Sequence, residues 1–239
     1  MKIAYLLVLQ MVFVTIAYGQ STEYSMQVNT GYFYFSGGAS PTGFFEGISG
    51  VQKSLIEDPY GNKFTLSYGV AAQIQRITKK RLILGLQLGT QLLRSRMKLN
   101  TIGGLGVNVV GAGKGHAVLS MGFIDLFPNI GQRFLLPTSV VDLTIGPYIG
   151  LNINSREKGM VTDANGKFPE TTNYKISEPF AVLRLKSSLT IYFGKWGFTT
   201  GYAYGLQNYK VQNYFSSYAR DSGKHFSHFF MIGLSYKIK

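Results

Sequence analysis

The sequence predicts an all-β protein, an eight-stranded antiparallel up-and-down transmembrane β-barrel. Three observations favour this fold class. Apolar and polar residues alternate with period two over segments of about 11 to 17 residues, which is the pattern of strands with two different faces. The connections between these segments alternate between long and short, and the first twenty residues have the features of a secretory signal peptide.

The chain begins with MKIAYLLVLQMVFVTIAYGQ, in which one Lys precedes an apolar run and small residues precede Gln20. This pattern predicts a signal peptide over residues 1–19 that is cleaved before Gln20, and leaves residues 20–239 as the barrel domain. The alternative is an uncleaved helical anchor. A membrane-spanning helix needs about 20 apolar residues, which is more than this run supplies.

Composition narrows the class of protein further. The formal net charge is +13, and it becomes +12 when the signal peptide removes Lys2 and no acidic residue. The chain has no Cys, so disulfides and thiolate metal sites are excluded. Because the chain is exported and its basic residues form no single arm or helix, we expect no nucleic-acid partner and favour an anionic membrane surface.

The alternation places eight strands along the chain. Their approximate ranges are 22–35, 63–77, 81–97, 116–130, 141–155, 178–194, 196–206 and 225–238. Pro128 lies inside the fourth range, and because proline cannot donate to a ladder we expect a bulge or an early end there. Ten strands, with an extra hairpin from part of residues 36–62, is the alternative count.

The connections give the chain an orientation. Long polar or glycine-rich loops are expected over about 36–62, 98–115, 155–177 and 207–224, and short turns lie between them. A soluble sandwich has no reason to keep its long loops at one end, whereas outer-membrane barrels have short periplasmic turns and long outer loops. Aromatic residues near the third turn and the chain end support a periplasmic girdle there; they are Phe193, Trp196, Phe198 and Tyr236.

The segment FIDLFPNIGQRFLLPTSVVDLTIGPYIGLNINSREKG, residues 123–159, carries a family resemblance. It has a strand that ends near a proline, a short turn, and then a strand with a Gly-Pro-Tyr-Ile-Gly centre that leads to a Lys/Glu/Gly-rich loop. In these features it resembles the small porin-like outer-membrane barrel proteins of Bacteroidota, the PorT-type group. The resemblance implies a fold and an outer-membrane location, and it brings no catalytic residues. The chain departs from many outer-membrane barrels in ending on Lys239 rather than on an aromatic residue.

The inward faces of the strands predict a polar network in the lumen. An eight-stranded barrel is just wide enough for its own side chains, so we expect a packed interior rather than a diffusion pore. Arg184 and Lys186 point inward near mid-strand, where an unpaired charge would be costly. We therefore expect them to pair with Asp125 or Asp142. Tyr148 and Asn152 would fill the remaining space, and a gated solute path is the alternative interpretation.

An enzyme hypothesis rests on His225 and Ser227, which share one face of the last strand. Their spacing is similar to the His-x-Ser of outer-membrane lipid A deacylases. No acid follows on that strand to orient the histidine, and both residues are expected to face inward. We therefore expect no enzymatic activity, no cofactor and no metal site.

Basic residues near the outer ends of the strands suggest a contact with lipopolysaccharide phosphates, where charge-assisted hydrogen bonds are favourable. The residues are Arg94, Arg96, Lys98, Arg156 and Lys158, in or near the predicted loops. Ordinary solvated surface charge is the alternative.

The sequence thus favours a monomeric barrel of the cell outer membrane. It would act as a membrane scaffold or as a loop-mediated binding or envelope-assembly component, with outer-membrane lipid, lipopolysaccharide and an unidentified envelope protein as partners. A narrow porin-like solute channel and a lipid A-modifying barrel enzyme are the two alternatives.

Overall fold

The computed structural model describes residues 21–37, 42–48, 54–57, 60–105, 107–163, 166, 169–175, 180–209 and 224–238. The predicted signal peptide, Glu178 and most of the fourth predicted loop lie outside these residues. Eleven strands occur in the described residues: β1 (Ser21–Gly37), β2 (Thr42–Ile48), β3 (Ser54–Glu57), β4 (Leu66–Ile77), β5 (Leu82–Leu105), β6 (Val107–Leu135), β7 (Val140–Asp163), β8 (Glu170–Lys175), β9 (Ala181–Phe193), β10 (Trp196–Gly205) and β11 (His225–Lys237). The described part of the chain contains no helix long and apolar enough to cross a membrane.

Eight of the described strands close into a ring in the order β1, β4, β5, β6, β7, β9, β10 and β11, with β11 pairing back onto β1. Every pairing within the ring is antiparallel. The predicted fold class is therefore confirmed. The extra strands β2, β3 and β8 add to the sheet outside the ring, so the hairpin within residues 36–62 does not raise the ring to ten strands.

Three ring strands are far longer than the sequence pattern predicts. β5, β6 and β7 contain 24, 29 and 24 residues, while a transmembrane strand needs about 9 to 11. The segment 98–115 is predicted to be a glycine-rich loop, but its residues 98–105 and 107–115 are instead the continuation of β5 and β6, which pair with each other. Much of the predicted loop 155–177 is likewise strand, formed by the end of β7 and by β8. These continuations, with β2 and β3, form a sheet that we call the outer extension.

The two faces of the ring differ as the alternation predicts. The side chains that point away from the lumen are mainly large and apolar along the middle of each strand; examples are Val28, Val70, Leu88, Ile145 and Leu234. Glutamine, serine and threonine side chains point inward and are buried. The outer surface therefore suits a hydrocarbon environment, and the interior is polar.

The short connections define one end of the barrel, which we call the turn end. They join β4 to β5, β6 to β7 and β9 to β10, and the start of β1 and the end of β11 lie at the same end. Exposed aromatic residues ring this end, including Trp196, which packs on Tyr236 with ring centroids 4.9 Å apart. A second aromatic group lies toward the opposite, loop end, where Tyr32 stacks on Phe64 at 4.5 Å and Tyr34 stacks on His228 at 4.8 Å. Two aromatic bands flanking an apolar belt are typical of transmembrane barrels.

Pro128 produces neither the bulge nor the early strand end that the sequence suggested. β6 runs through it to Leu135 and keeps its register with β5, where Pro128 lies opposite Leu86. On the other side the register places Pro128 opposite Pro147, and the described ladder between β6 and β7 is interrupted from Leu126 to Ile130. Both prolines lack an N–H group, so the loss of pairing is confined to the side where they meet.

Candidate functional site: a polar lumen in two layers

Two layers of charged side chains lie one above the other inside the barrel. We call the first the turn-end cluster, consisting of Glu23, Arg133, Asp142 and Lys237 with Gln75. We call the second the central cluster, consisting of Asp125, Arg184 and Lys186 with Tyr148. All of these side chains point inward from ring strands.

Arg133 holds the turn-end cluster together. Its Nε and Nη2 atoms donate to the two oxygens of Asp142, each at 2.7 Å, while Nη1 and Nη2 donate to the two oxygens of Glu23 at 2.6 and 2.8 Å. Gln75 donates to both carboxylates at 3.0 and 3.1 Å. Lys237 reaches Glu23 at 3.0 Å and lies over the Tyr192 ring at 3.9 Å. Two acids and two bases thus balance in charge and close the lumen at this end.

The prediction named Asp125 or Asp142 as the partner of Arg184 and Lys186, and this geometry leaves Asp125 as the candidate. Asp142 faces inward, but its partner is Arg133, and not Arg184 or Lys186. Sequence reasoning missed Arg133 because it assigned residues 131–138 to a link. In the structure β6 continues to Leu135, and the side chain of Arg133 points into the lumen. Glu23 was also missed, although its place at the start of the first strand, before an alternating run, was an available signal.

Arg184 occupies the centre of the lumen and is fully buried. Its Nη2 donates to the Tyr209 hydroxyl at 2.9 Å, and its Nε donates to Ser227 Oγ at 3.4 Å. The guanidinium lies over the ring of Phe123 at 4.9 Å, a cation–π arrangement that suits a planar cation away from water. Arg184 therefore links β9 to β11 and to the segment after β10.

Lys186 and Asp125 complete the central cluster. The Lys186 ammonium donates to Gln87 Oε1 at 2.9 Å and lies over the rings of Phe127 and Tyr148, at 4.4 and 4.9 Å. Asp125 is buried and near enough to Arg184 and Lys186 for direct electrostatic attraction. Of the two acids that the sequence offered as partners for these cations, the structure places Asp125 beside them.

The Gly-Pro-Tyr-Ile-Gly centre of residues 146–150 positions this layer. A Cβ atom at Gly146 would lie 2.1 Å from the Pro128 carbonyl oxygen, so glycine allows β7 to approach β6. Tyr148 projects inward and donates its hydroxyl to Gln91 at 2.5 Å. A Cβ at Gly150 would lie 3.0 Å from Asp125 Oδ1 and 3.3 Å from Arg184 Nη1, so the absence of a side chain here leaves room for both groups.

Little free space remains around the two layers. One cavity beside Asp125 and Lys186 measures about 10 Å³, and another beside Asp142 and Gln75 also measures about 10 Å³. A single buried water needs roughly 10 to 15 Å³ by the same measure. The described part of the lumen is thus a packed polar core.

Asn152 belongs to neither layer. It is half-buried next to a bulge between β6 and β7, and its Nδ2 donates to Ser155 Oγ at 2.7 Å. Its hydrogen bond is therefore local to β7 and does not reach the two clusters.

His225 and Ser227 share the inner face of β11, as the spacing predicts, and both are buried. The His225 ring stacks on Tyr60 with centroids 4.9 Å apart, and Ser227 lies within reach of Arg184 rather than being held by the histidine. Both side chains face the lumen, on the opposite side of the wall from the apolar belt. Among the described residues, no three His, Cys, Asp or Glu side chains come together as metal ligands would.

The five basic residues predicted to lie in or near loops are on strands. Arg94, Arg96 and Lys98 project from the outer face of β5, and Arg156 and Lys158 project from the outer face of β7. The sequence placed them at the correct end of the barrel. The difference arises because strand pairing continues past the apolar belt.

A closed antiparallel ring with an apolar outer belt and a packed polar interior defines a small transmembrane β-barrel protein. No family model and no curated protein matches the chain. Similar solved structures are Ail, the attachment invasion locus protein of Yersinia pestis, in complex with the heparin analogue sucrose octasulfate, and Neisserial surface protein A. Both are 9% identical over 92% of this chain and 100% of theirs, with TM-scores of 0.38 and 0.37. The translocator domain of the autotransporter NalP from Neisseria meningitidis is 12% identical over 98% of this chain and 95% of that one, with a TM-score of 0.28.

Proposed function

We propose that this protein is a scaffold of the bacterial outer membrane, which anchors the outer extension at the cell surface as a binding platform for an envelope partner. The turn end faces the periplasm and the loop end faces outward, because barrels of this kind keep short turns on the periplasmic side and extended structure outside. The relation to the PorT-type group stays a prediction from the sequence.

The packed lumen is the observation that carries this proposal. The turn-end cluster spans the interior from β1 to β6 and β7, and the central cluster fills it again between β6, β7 and β9. A solute path would require both layers to open. Breaking a buried ion pair by removing one partner costs about 3 to 5 kcal/mol, so the layered charges favour a permanently closed barrel.

The outer extension supplies the platform. The long continuations of β5, β6 and β7 pair with one another and with β2 and β8 beyond the apolar belt. Their inner face is covered by a small apolar group of Met97, Leu99, Ala117 and Val161, which are buried. The extension is therefore a structured surface with its own small core.

Planar-bilayer recordings test whether the lumen is closed. The wild-type barrel should give no stable single-channel steps, and an Arg184→Ala/Tyr148→Ala variant, which removes the two large side chains of the central layer, should gain current. An Arg156→Ala variant on the outer face is the matched control and should remain silent. Stable steps from the wild-type protein would contradict the scaffold proposal.

Site-specific crosslinking in cells tests the platform. A photoreactive residue at Pro169, exposed just before β8 at the loop end, should capture an envelope protein, whereas one at Lys79 in a periplasmic turn should not give the same adduct. Equal adducts from both ends, or adducts with lipid alone, would count against a surface partner.

A further inference from the structure

Acidic and basic side chains are separated between the two faces of the barrel wall. The acidic side chains that the structure describes, Glu23, Asp125, Asp142 and Glu157, all point to the interior. Eight basic side chains project from one outer face formed by β5, β6, β7, β8 and the segment before β4. They are Lys63, Arg94, Arg96, Lys98, Lys114, Arg156, Lys158 and Lys175, which we call the basic wall. Among the residues whose side chains the structure describes, the basic wall therefore carries no acidic side chain to balance it.

Strand register arranges these cations in rows. Arg94 lies opposite Ser120, which lies opposite Arg156, which in turn lies opposite Lys175. The next row sets Arg96 and Lys158 two strands apart, on either side of Val118 on β6. Since neighbouring strands are about 4.8 Å apart, cations in a row repeat at roughly 5 to 10 Å. This spacing allows one phosphorylated head group to contact several cations at once.

A groove of about 570 Å³ lies within the basic wall. It is lined by Lys63, Arg96, Lys98, Lys114 and His116, with Phe64 and Asn100 at its edge. A bulge at Leu99 and Thr101 interrupts the register there and leaves Asn100 and Lys114 beside the opening. The groove thus combines cations with an aromatic side chain, which suits a phosphate attached to a sugar or lipid.

Lys63 is fixed into this groove by its backbone. Its N–H donates to the Arg96 carbonyl at 2.9 Å, and the Arg96 N–H donates back to Lys63 at 3.1 Å. Gly61 makes this approach possible, because a Cβ at position 61 would lie 2.1 Å from the Arg96 carbonyl oxygen. Desolvation, together with the neighbouring charges of Lys98 and Arg96, lowers the pKa of Lys63 from its ordinary value. The side chains repel one another, and a bound anion would relieve the repulsion.

The position of the basic wall relative to the apolar belt indicates which anion it binds. Below it, the outer faces of β5 and β6 carry apolar residues such as Leu86, Leu88 and Ile124. Arg94 falls in register with the start of β4, close to the aromatic band of Tyr32 and Phe64. Cations therefore begin where the apolar belt ends at the loop end.

We propose that the basic wall binds the phosphate groups of lipopolysaccharide in the outer leaflet, with the groove around Arg96, Lys98 and Lys114 as the main site. This inference rests on the proposed outer-membrane placement. The cations contact the phosphates directly, so the wall takes the place of the divalent cations that otherwise bridge neighbouring lipopolysaccharide molecules.

Titration of the folded barrel in zwitterionic detergent tests this proposal, with purified lipopolysaccharide, its dephosphorylated form, phosphatidylglycerol and inorganic phosphate as probes. Lipopolysaccharide should bind, and the Arg96→Gln/Lys98→Gln/Lys114→Gln variant should bind it at least about tenfold more weakly. The control variant, Lys79→Gln/Lys80→Gln/Lys195→Gln, also loses three positive charges, but from exposed turns, and should bind like the wild type. Binding should persist in EDTA and weaken with rising salt.

Several outcomes would overturn the proposal. Equal binding of dephosphorylated lipopolysaccharide would show that phosphate is not recognised, and equal losses in both triple variants would show that net charge alone is responsible. If inorganic phosphate or phosphatidylglycerol bound as tightly as lipopolysaccharide, the basic wall would not be specific for the phosphate groups of lipopolysaccharide. Heat-modifiable gel mobility, measured on each variant, shows whether the barrel is still folded. It therefore distinguishes a variant that has unfolded from one that is folded but has lost the binding site.

Discussion

Arg133 and Glu23 are 110 positions apart in sequence, yet the guanidinium of Arg133 donates two parallel hydrogen bonds to the Glu23 carboxylate, at 2.6 and 2.8 Å. The same guanidinium holds both oxygens of Asp142 at 2.7 Å. Bidentate pairs of this kind are among the strongest charge-assisted contacts in proteins. They join the start of β1 to β6 and β7 across the lumen.

Removal of Arg133 should therefore destabilise the barrel. An Arg133→Gln change leaves the buried Asp142 carboxylate without its cation and Glu23 with Lys237 alone, and we expect a loss of about 3 to 5 kcal/mol in the free energy of unfolding. Urea unfolding of the refolded protein in lipid vesicles measures this loss. The matched control is Arg156→Gln on the outer face, which should change stability by less than about 0.5 kcal/mol. Similar losses for the two variants would contradict the assignment of Arg133 as the centre of the cluster.

The central cluster should behave as a coupled unit. Asp125→Asn leaves Arg184 and Lys186 without a counter-charge in a buried layer, and we expect it to destabilise the barrel by about 3 kcal/mol. Adding Lys186→Met removes one of those cations and should recover part of the loss. A double-mutant cycle on unfolding free energies measures the coupling, which we expect to be at least about 1 kcal/mol. Strict additivity would mean that Asp125 and Lys186 do not interact.

Gly150 should tolerate no side chain. In Gly150→Ala the new Cβ would press on Asp125, Phe123 and Arg184 at 3.0 to 3.3 Å, and overpacking of this kind costs about 1 to 3 kcal/mol. Gly122→Ala on β6 is the control, because its Cβ would find its nearest neighbour at an ordinary 3.4 Å. Unfolding midpoints in urea compare the two. A tolerated Gly150→Ala would argue that Asp125, Phe123 and Arg184 are not packed closely against this glycine.

Trp196 reports the depth of the turn end. It is the chain's single tryptophan, it is 62% exposed on the outer face, and it packs on Tyr236 in the aromatic band. In vesicles, its fluorescence should be quenched more by lipids brominated near the head group than by lipids brominated near the chain end, since aromatic bands lie at the membrane interface. Stronger quenching by the deeper bromines would contradict the placement of the apolar belt.

Local alternation was enough to predict which side chains enter the lumen, but not which of them pair. Period two placed Asp142, Arg184 and Lys186 on inward faces, and the structure has all three inside. The partners of Asp142 depend on the stagger of strands around the ring, which a single strand's pattern does not contain. The inward direction of Arg133 could not be predicted, because the short segment after Pro128 has a pattern that fits a link and a strand end equally well.

The glycine-rich segment 98–115 shows a second limit. Its composition is typical of a loop, and glycine has little intrinsic preference for strands. Residues 98–105 and 107–115 are nevertheless extended because β5 and β6 already lie side by side below them and continue to pair toward the loop end. Strand formation here comes from a neighbour that is non-local in sequence.

The sequence by itself determined the class of this protein. An alternating chain with apolar residues on one face, small polar residues on the other and short turns at one end can satisfy its backbone in a bilayer only as a closed barrel. Tertiary structure decided the rest, namely the partner of each buried charge, the height of the outer extension and the grouping of cations on one wall. These features arise from register between strands, which aligns residues far apart in sequence, and the period of a single strand does not encode that alignment.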